Sequence, residues 1–309
     1  MSAQSIEIIE VGPRDGLQSE SDMMPTEDKV EFIRRLLGAG LRRIEVASFV
    51  HPRKVPQMAD AEQVVKALPR REDVIFIGLA LNERGFERAA AAGLDEVGFA
   101  VVASDTFSRR NQGASTEESI STWKRIASEA DAAGMRASIM ISAAFGCPFE
   151  GVVPESRVIG IARELMKTAP IEIALADTIG VATPWQVRSL IEKLRPVIGA
   201  IPLRCHFHNT RNTGIANAFV AIESGARALD ASTGGIGGCP FAPAATGNIA
   251  TEDLAYMLRH SGFDTGISMP DLLATADWLG RKMNRDMPSM LSRAGDFSPD
   301  GAAVSIAAT

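Results

Sequence analysis

Short apolar runs recur along the chain, each followed by a longer stretch in which apolar positions return every three or four residues among Ala, Arg and Glu. The first pattern predicts buried strands and the second amphipathic helices. Eight strands are expected, at 6–11, 43–48, 74–80, 96–103, 137–143, 171–176, 203–208 and 228–232. Helices are expected at 26–39, 55–68, 83–92, 116–133, 155–168, 184–198, 214–224 and 251–260. Gly40, Gly93, Gly134 and Gly225 follow four of them, where a left-handed residue closes a helix. Thr26, Thr116 and Thr251, each before acidic residues, are expected as hydroxyl N-caps.

Strict βα alternation implies a parallel sheet, and eight units point to an α/β fold of the (βα)8 TIM-barrel type, with its active site at the C-terminal ends of the strands. Polar residues collect there: Arg14 and Asp15 after strand one, Glu45 in strand two, Asp177 and Thr178 after strand six, His206 and His208 on strand seven. A doubly wound open sheet shares this periodicity and is the competing arrangement. A chain of 309 residues suits one barrel domain over 1–309, in which 263–309 forms a helical C-terminal extension and a mobile Ser-, Ala- and Gly-rich tail.

Charge and cysteine usage narrow the partners. A net charge of −6 gives no basic field for nucleic acid or an anionic membrane, so neither is expected as a partner. No apolar run approaches the ~20 residues of a bilayer span. Three dispersed cysteines without a CxxC pair fit a reducing compartment, and few residues precede the first strand. A cytoplasmic location is expected.

The tripeptide His206-Phe207-His208 carries the most chemical information. Residues i and i+2 of a strand share a face, so both imidazoles can converge on one metal ion, whereas Cys205 between strand faces points outward. Buried imidazoles without partners are costly, which favours ligation over two packed core histidines. Asp15 offers the anionic oxygen that a divalent cation prefers; alone it reads equally as a turn residue, with Arg14 its surface neighbour. The glycine-rich stretch from Gly234 to Cys239, followed by Thr246-Gly247-Asn248, can approach a ligand closely or be a merely mobile loop. It lacks the Lys-Ser/Thr of a phosphate loop. Arg53-Lys54 and Arg109-Arg110 are solvated pairs or phosphate contacts for a carrier, and Cys147 is a reactive or a packed thiol.

Several motifs resemble one family: Val11-Gly-Pro-Arg-Asp-Gly-Leu-Gln18, Ile44-Glu-Val-Ala-Ser-Phe-Val50, Pro56-Gln-Met-Ala-Asp60, Gly237-Gly-Cys-Pro-Phe241 and Thr246-Gly-Asn-Ile-Ala-Thr-Glu-Asp-Leu254. With His206-Phe-His208 they resemble the 3-hydroxy-3-methylglutaryl-CoA lyases, within a wider group of metal-dependent barrel lyases and Claisen-type synthases, from Ile6 to about Asn284. The resemblance implies cleavage of an acyl-CoA thioester with a tertiary 3-hydroxyl, giving acetyl-CoA and acetoacetate. It places Mg2+ or Mn2+ on Asp15, His206, His208 and Asn248. It implies Asp15 as base or relay with His206 sharing the proton, Arg14 on the developing thioester enolate, Cys239 as the acid, and Glu45 as the residue that orients the cluster. A homodimer is a further expectation. The chain departs from the family pattern at Asn209 and Arg211, where the best-known members carry Asp and Tyr. Arg211 is therefore expected beside the substrate, and a related substrate such as citramalyl-CoA stands as the alternative, together with a Claisen-condensing synthase or a non-catalytic metal- and CoA-binding relative.

Overall fold

The computed structural model describes residues 5–238 and 247–297. Eight parallel strands close into a barrel in chain order: β1 Glu7–Glu10, β2 Arg43–Ser48, β3 Ile75–Leu79, β4 Glu96–Val102, β5 Arg136–Ser142, β6 Ile173–Asp177, β7 Leu203–Phe207 and β8 Ala228–Ala231. Pairing of Glu7 with Ala228 and of Ile9 with Arg43 joins the first strand to its two neighbours, so the open-sheet alternative does not hold. Every expected strand forms within a residue or two of its expected bounds.

The helices are α1 Thr26–Gly38, α2 Ala61–Ala67, α3 Glu83–Ala91, α4 Asp105–Gln112, α5 Thr116–Ala132, α6 Glu155–Leu165, α7 Pro184–Ile198, α8 Gly214–Glu223, α9 Thr251–His260, α10 Met269–Met283 and α11 Leu291–Ala294. Elements beyond the expectation include α4, which carries the basic pair 109–110, and a two-residue hairpin pairing Gly146–Cys147 with Gly151–Val152. None of the described helices is long and apolar enough to cross a membrane.

The three threonine caps are corrected by the structure. Pro25, Ser115 and Ala250 occupy the N-cap positions. Ser115 forms the capping box with Glu118. Each threonine hydroxyl instead serves a tertiary partner: Thr26 donates to Asp60 at 2.7 Å, Thr116 to the Val102 carbonyl at 2.9 Å and Thr251 to Glu10 at 2.7 Å. The four helix-closing glycines do adopt positive φ, from +65° at Gly134 to +103° at Gly40.

The principal apolar core lies between barrel and helices, around Phe32, Phe76, Phe99, Trp123 and Phe207, all within 2% exposure. Helix α10 returns to the side of α1, where Trp278 stacks on Phe32 at 6.2 Å and lies under the Arg35 guanidinium. Inside the barrel a small apolar cluster forms, of Ile9, Val11, Ile77 and Ala228. Buried charges share the interior with it. Arg43, 3% exposed, donates to Glu172 at 3.0 Å and to Glu96 at 2.6 Å, and Ser138 also donates to Glu96. Such a network tolerates burial because each charge is paired, and removing one partner costs ~3–5 kcal/mol.

Candidate active site and metal centre

At the end of β1 the chain makes a single π-helical turn, Gly12–Gly16. The Val11 carbonyl accepts the amides of Arg14, Asp15 and Gly16, at 3.2, 2.7 and 3.1 Å. Pro13 contributes no donor and a preset φ. Glu10, fully buried, binds the Gly12 amide and anchors the turn from below; it also accepts from Thr233 and Thr251. This wide turn places Arg14 and Asp15 over the barrel mouth, a setting in which π-turns are common. Arg14 bridges two carboxylates at 2.6 Å each, Asp15 Oδ1 and Glu45 Oε2. Glu45, 3% exposed, sits at a register shift between β2 and β3 that ends the regular pleat at Glu45.

Across the barrel, Arg204, His206 and His208 share one face of β7 and its continuation. His206 Nδ1 lies 3.0 Å from Asp230 Oδ2 on β8, which leaves Nε2 for another partner. The other Asp230 oxygen accepts Arg204 Nε. Residues 247–250 thread between the ends of β7 and β8: Asn209 donates to the Gly247 carbonyl, Ile249 to Phe207, and Ser232 to Ile249. Only glycine fits at 247, because a Cβ there would stand 2.1 Å from the Gly235 carbonyl. Asn248 is thereby bridged to His208, and its Nδ2 donates to Asp15 Oδ2 at 2.9 Å.

Asp15, His206 and His208 bring their potential ligand atoms within 4.8 Å of one another. Two buried atoms of the cluster, His208 Nδ1 and Asn248 Oδ1, have no hydrogen-bond partner among the described residues. Such orphans need an explanation. A cation supplies one, and the donor set of one carboxylate, two imidazoles and an amide oxygen suits a divalent metal in an open site. The electrostatics agree. Burial opposes the charge on Asp15, but Arg14 and the two imidazoles hold its carboxyl well below the usual range. Burial and the neighbouring His206 push His208 down to about 4, so its ring is neutral and able to ligate. Burial also acts against charge on His206, yet the bond and charge of Asp230 outweigh it and raise its pKa.

The cluster lies in a cavity of about 560 Å³ that runs from the mouth into the barrel. Lys54 and Arg110 stand in its wall, whereas Arg53 and Arg109 do not; Arg109 is paired with Asp105 at 2.9 Å. Thr178 lines the cavity, while Asp177 accepts the amides of Val181 and Ala182, at 2.9 Å each, and shapes the loop after β6. Arg211, expected beside the substrate, is exposed, is not among the cavity-lining residues, and donates to the Ile179 and Gly180 carbonyls at 3.1 and 2.8 Å. In that position the side chain braces the loop after β6. Asn209 accepts the Gly214 amide at 3.1 Å and closes the turn into α8. Cys147 is buried against Ser104 Oγ at 2.8 Å, and Cys205 is buried on the outward face of β7. Cys239 lies outside the described residues; Gly238 before it lines the cavity.

Sequence reasoning passed over Asp230, Arg204 and Arg43. Each was readable as a charged residue at an inward position of an apolar strand, Asp230 inside Ala228-Leu-Asp-Ala231 and Arg204 two residues before His206.

A closed parallel barrel with an Asp/His/His/Asn cluster and a buried arginine at the C-terminal mouth defines a barrel enzyme built around a divalent-metal site. Residues 5–279 match the family model HMGL-like, and the chain belongs to that family. It is 44% identical to the (R)-citramalyl-CoA lyase of Chloroflexus aurantiacus over 96% of both chains. It is 40% identical to a hydroxymethylglutaryl-CoA lyase of Bacillus subtilis, over 93% of this chain and 96% of that one. Among solved structures, an HMG-CoA lyase from Acinetobacter baumannii in complex with coenzyme A and 3-methylmalate superimposes with a TM-score of 0.93 at 36% identity, covering 97% of this chain and 98% of that one. The Bacillus subtilis HMG-CoA lyase gives 0.92 at 39% identity, covering 95% and 99%. With relatives of this similarity named as lyases, the chain is an enzyme of the carbon–carbon lyase class.

Proposed function

We propose that this chain is a divalent-metal-dependent lyase that cleaves 3-hydroxy-3-methylglutaryl-CoA to acetyl-CoA and acetoacetate. The observation that carries the proposal is the meeting of Asp15, His206 and His208 beside a buried Arg14 in one cavity, with Asn248 bonded to Asp15 and two orphaned polar atoms in the cluster. Mg2+ or Mn2+ would be held by those four residues; once bound, it would lower the proton affinity of the substrate 3-hydroxyl and offset the charge of the neighbouring carboxylate.

The chain's own side chains do the rest. Asp15, ionised across the physiological range, receives or relays the hydroxyl proton, and His206 shares that traffic. As the C2–C3 bond breaks, negative charge gathers on the thioester oxygen, and Arg14 is pre-aimed at it by the paired oxygens of Asp15 and Glu45. Cys239 delivers the proton that turns the enolate into acetyl-CoA, a role carried by its motif. Lys54 and Arg110, in the wall at the mouth, receive the phosphates of the CoA carrier. The chain acts as a cytoplasmic homodimer.

Citramalyl-CoA is the second reading, favoured by the 44% identity to a lyase named for it. The deciding experiment supplies metal-stripped protein with each thioester, with and without Mg2+ or Mn2+, and measures acetyl-CoA and the keto acid separately. Metal-dependent acetoacetate from the first substrate, lost in Asp15→Asn, is expected. Cleavage of citramalyl-CoA alone selects the second reading, and turnover of neither would sink both.

A further inference from the structure

Beneath the metal cluster the barrel is hollow. Small side chains occupy inward positions on three adjacent strands, at Gly98, Ser138, Ala174 and Ala176, with the flexible Met140 between them, and all line the same cavity as His206. A Cβ added at Gly98 would fit at ordinary contact distance, 3.6 Å from Ile77 and 3.9 Å from Glu45, so the glycine leaves room for about one methyl group there. Glu172 and Arg204 line the deeper part of this cavity.

The two interior arginines differ in a telling way. Arg43 places both terminal nitrogens on carboxylates, with bonds of 2.6 to 3.1 Å to Glu7, Glu96 and Glu172. Arg204, 4% exposed, donates only through Nε, to Asp230. Its Nη1 stands 3.8 Å from Glu172 Oε1, beyond hydrogen-bond reach, and neither Nη donates a hydrogen bond among the described residues. A guanidinium is a planar fork matched to a carboxylate. In Arg204 the fork is buried, fixed at its root by Asp230, and set in the wall of an open space.

We propose that this hollow is a second acyl subsite, which takes a substituent of substrate C3 ending in a carboxylate and receives that carboxylate on the terminal nitrogens of Arg204. The substrate class is a 3-hydroxyacyl-CoA that carries one carboxylate directly on C3, as citramalyl-CoA does, and a second on a short arm in place of the 3-methyl group. This inference rests on the lyase reading of the same site in its citramalyl-CoA form. Arg204 precedes His206 by two residues on β7, a depth of about 6–7 Å at ~3.3 Å per residue. At ~1.5 Å per bond, a methyl group falls short of that depth, whereas one or two methylenes and a carboxylate span it. The chemistry balances without any added reagent. The C2–C3 bond breaks, its electron pair remains on C2 as the thioester enolate and takes up one proton, and C3 loses its hydroxyl proton to become the carbonyl of a dicarboxylic 2-keto acid.

The test compares citramalyl-CoA with citryl-CoA, which differ only in a methyl against a carboxymethyl arm, on the metal-loaded enzyme. Wild type is expected to cleave citryl-CoA at least as efficiently as citramalyl-CoA. Arg204→Met should lower kcat/KM for citryl-CoA ~10–100-fold more than for citramalyl-CoA, the range of one charged hydrogen-bonded contact, while Arg204→Lys recovers part of the difference. Mn2+ affinity measured on each variant separates this effect from any disturbance of His206 through Asp230. Competition on wild type needs no variant: 2-oxoglutarate should inhibit more than tenfold better than 2-oxopentanoate, which has the same length and lacks the second carboxylate. Cleavage of citramalyl-CoA without citryl-CoA, equal losses on both substrates, or equal inhibition by the two keto acids would overturn the subsite and leave the lyase reading intact. Turnover of neither these thioesters nor 3-hydroxy-3-methylglutaryl-CoA would overturn the lyase reading itself and the subsite with it.

Discussion

Replacing Asp230 by Asn tests how the histidine cluster is held. The carboxylate is 1% exposed; one oxygen faces His206 Nδ1 at 3.0 Å and the other accepts Arg204 Nε. Asparagine keeps the shape but only one acceptor, so one of the two donors must face an amide NH2. If that donor is His206, the ring takes the other tautomer and its Nε2 carries a proton in place of a lone pair. If it is Arg204, a buried guanidinium is left with Glu172 at 3.8 Å as its nearest carboxylate. A charge-assisted hydrogen bond is worth ~1.5–3 kcal/mol, and carboxylate partners of metal-binding histidines typically govern 10–100-fold in metal affinity. Asp230→Asn should therefore weaken Mn2+ binding by ~10–100-fold, measured by calorimetry or paramagnetic resonance. Its stability in urea should fall by ~2–3 kcal/mol. Activity should return in part at high metal concentration. Unchanged Mn2+ affinity in a folded variant would refute the idea that Asp230 holds His206 ready for the metal.

Two further perturbations probe other parts of the molecule. Glu252 is fully buried, accepts the Gly234 amide at 3.1 Å and Ser292 Oγ at 2.9 Å, and burial lifts its pKa from 4.5 to about 7. A carboxyl raised in the folded state contributes stability that is fully present below pH 4.5 and lost as pH rises through about 7, a change of ~3 kcal/mol. Glu252→Gln should therefore gain on wild type by that amount between pH 4 and 8, approximate bounds set by the linkage, in paired urea titrations; a difference independent of pH would contradict the burial argument. At the mouth, Lys54→Ala and Arg110→Ala should each raise KM for the thioester roughly three- to tenfold at low salt, with kcat preserved and the effect fading as salt is added. Arg109→Ala is the control, since that side chain is paired with Asp105 and lies outside the cavity wall; an equal KM effect there would show that the cavity does not select among these cations.

Much of this was legible because strand alternation is strict. The i, i+2 rule placed His206 and His208 on one side and Cys205 on the other, and the glycines at 40, 93, 134 and 225 marked helix ends through a local conformational need. The failures were those in which a distant group decided the outcome. A threonine before acidic residues is a sound N-cap signal, but the hydroxyls of Thr26, Thr116 and Thr251 found Asp60, the Val102 carbonyl and Glu10 across the fold. Helix α4 buries little besides Phe107 and Ser108, so no apolar period announced it, although Ser104 caps its start and Gly113 its end. Arg211 could be assigned to the substrate only by its position in the sequence; the carbonyls that hold it lie on a loop some thirty residues earlier, at Ile179 and Gly180.

The interior charges form two tiers, and the tiers have different tasks. In the upper one, Arg14, Asp15, Glu45 and Asn248 are bound to one another before any substrate arrives, so the groups facing the reacting atoms need little reorganisation when charge develops. The lower tier stands two residues earlier on the same strands, Arg43 below Glu45 on β2 and Arg204 below His206 on β7, an outcome of the same alternation that built the site. In the proposed reaction the upper-tier residues face the thioester and the 3-hydroxyl, which its substrates share, and so do little to distinguish one acyl group from another. The discriminating contacts must come from where substrates differ, in the two carbon substituents that C3 carries besides the thioester arm. The hollow below the cluster, where Gly98, Ala174 and Ala176 are small and the terminal nitrogens of Arg204 donate no hydrogen bond among the described residues, offers both space and unspent polarity for that choice.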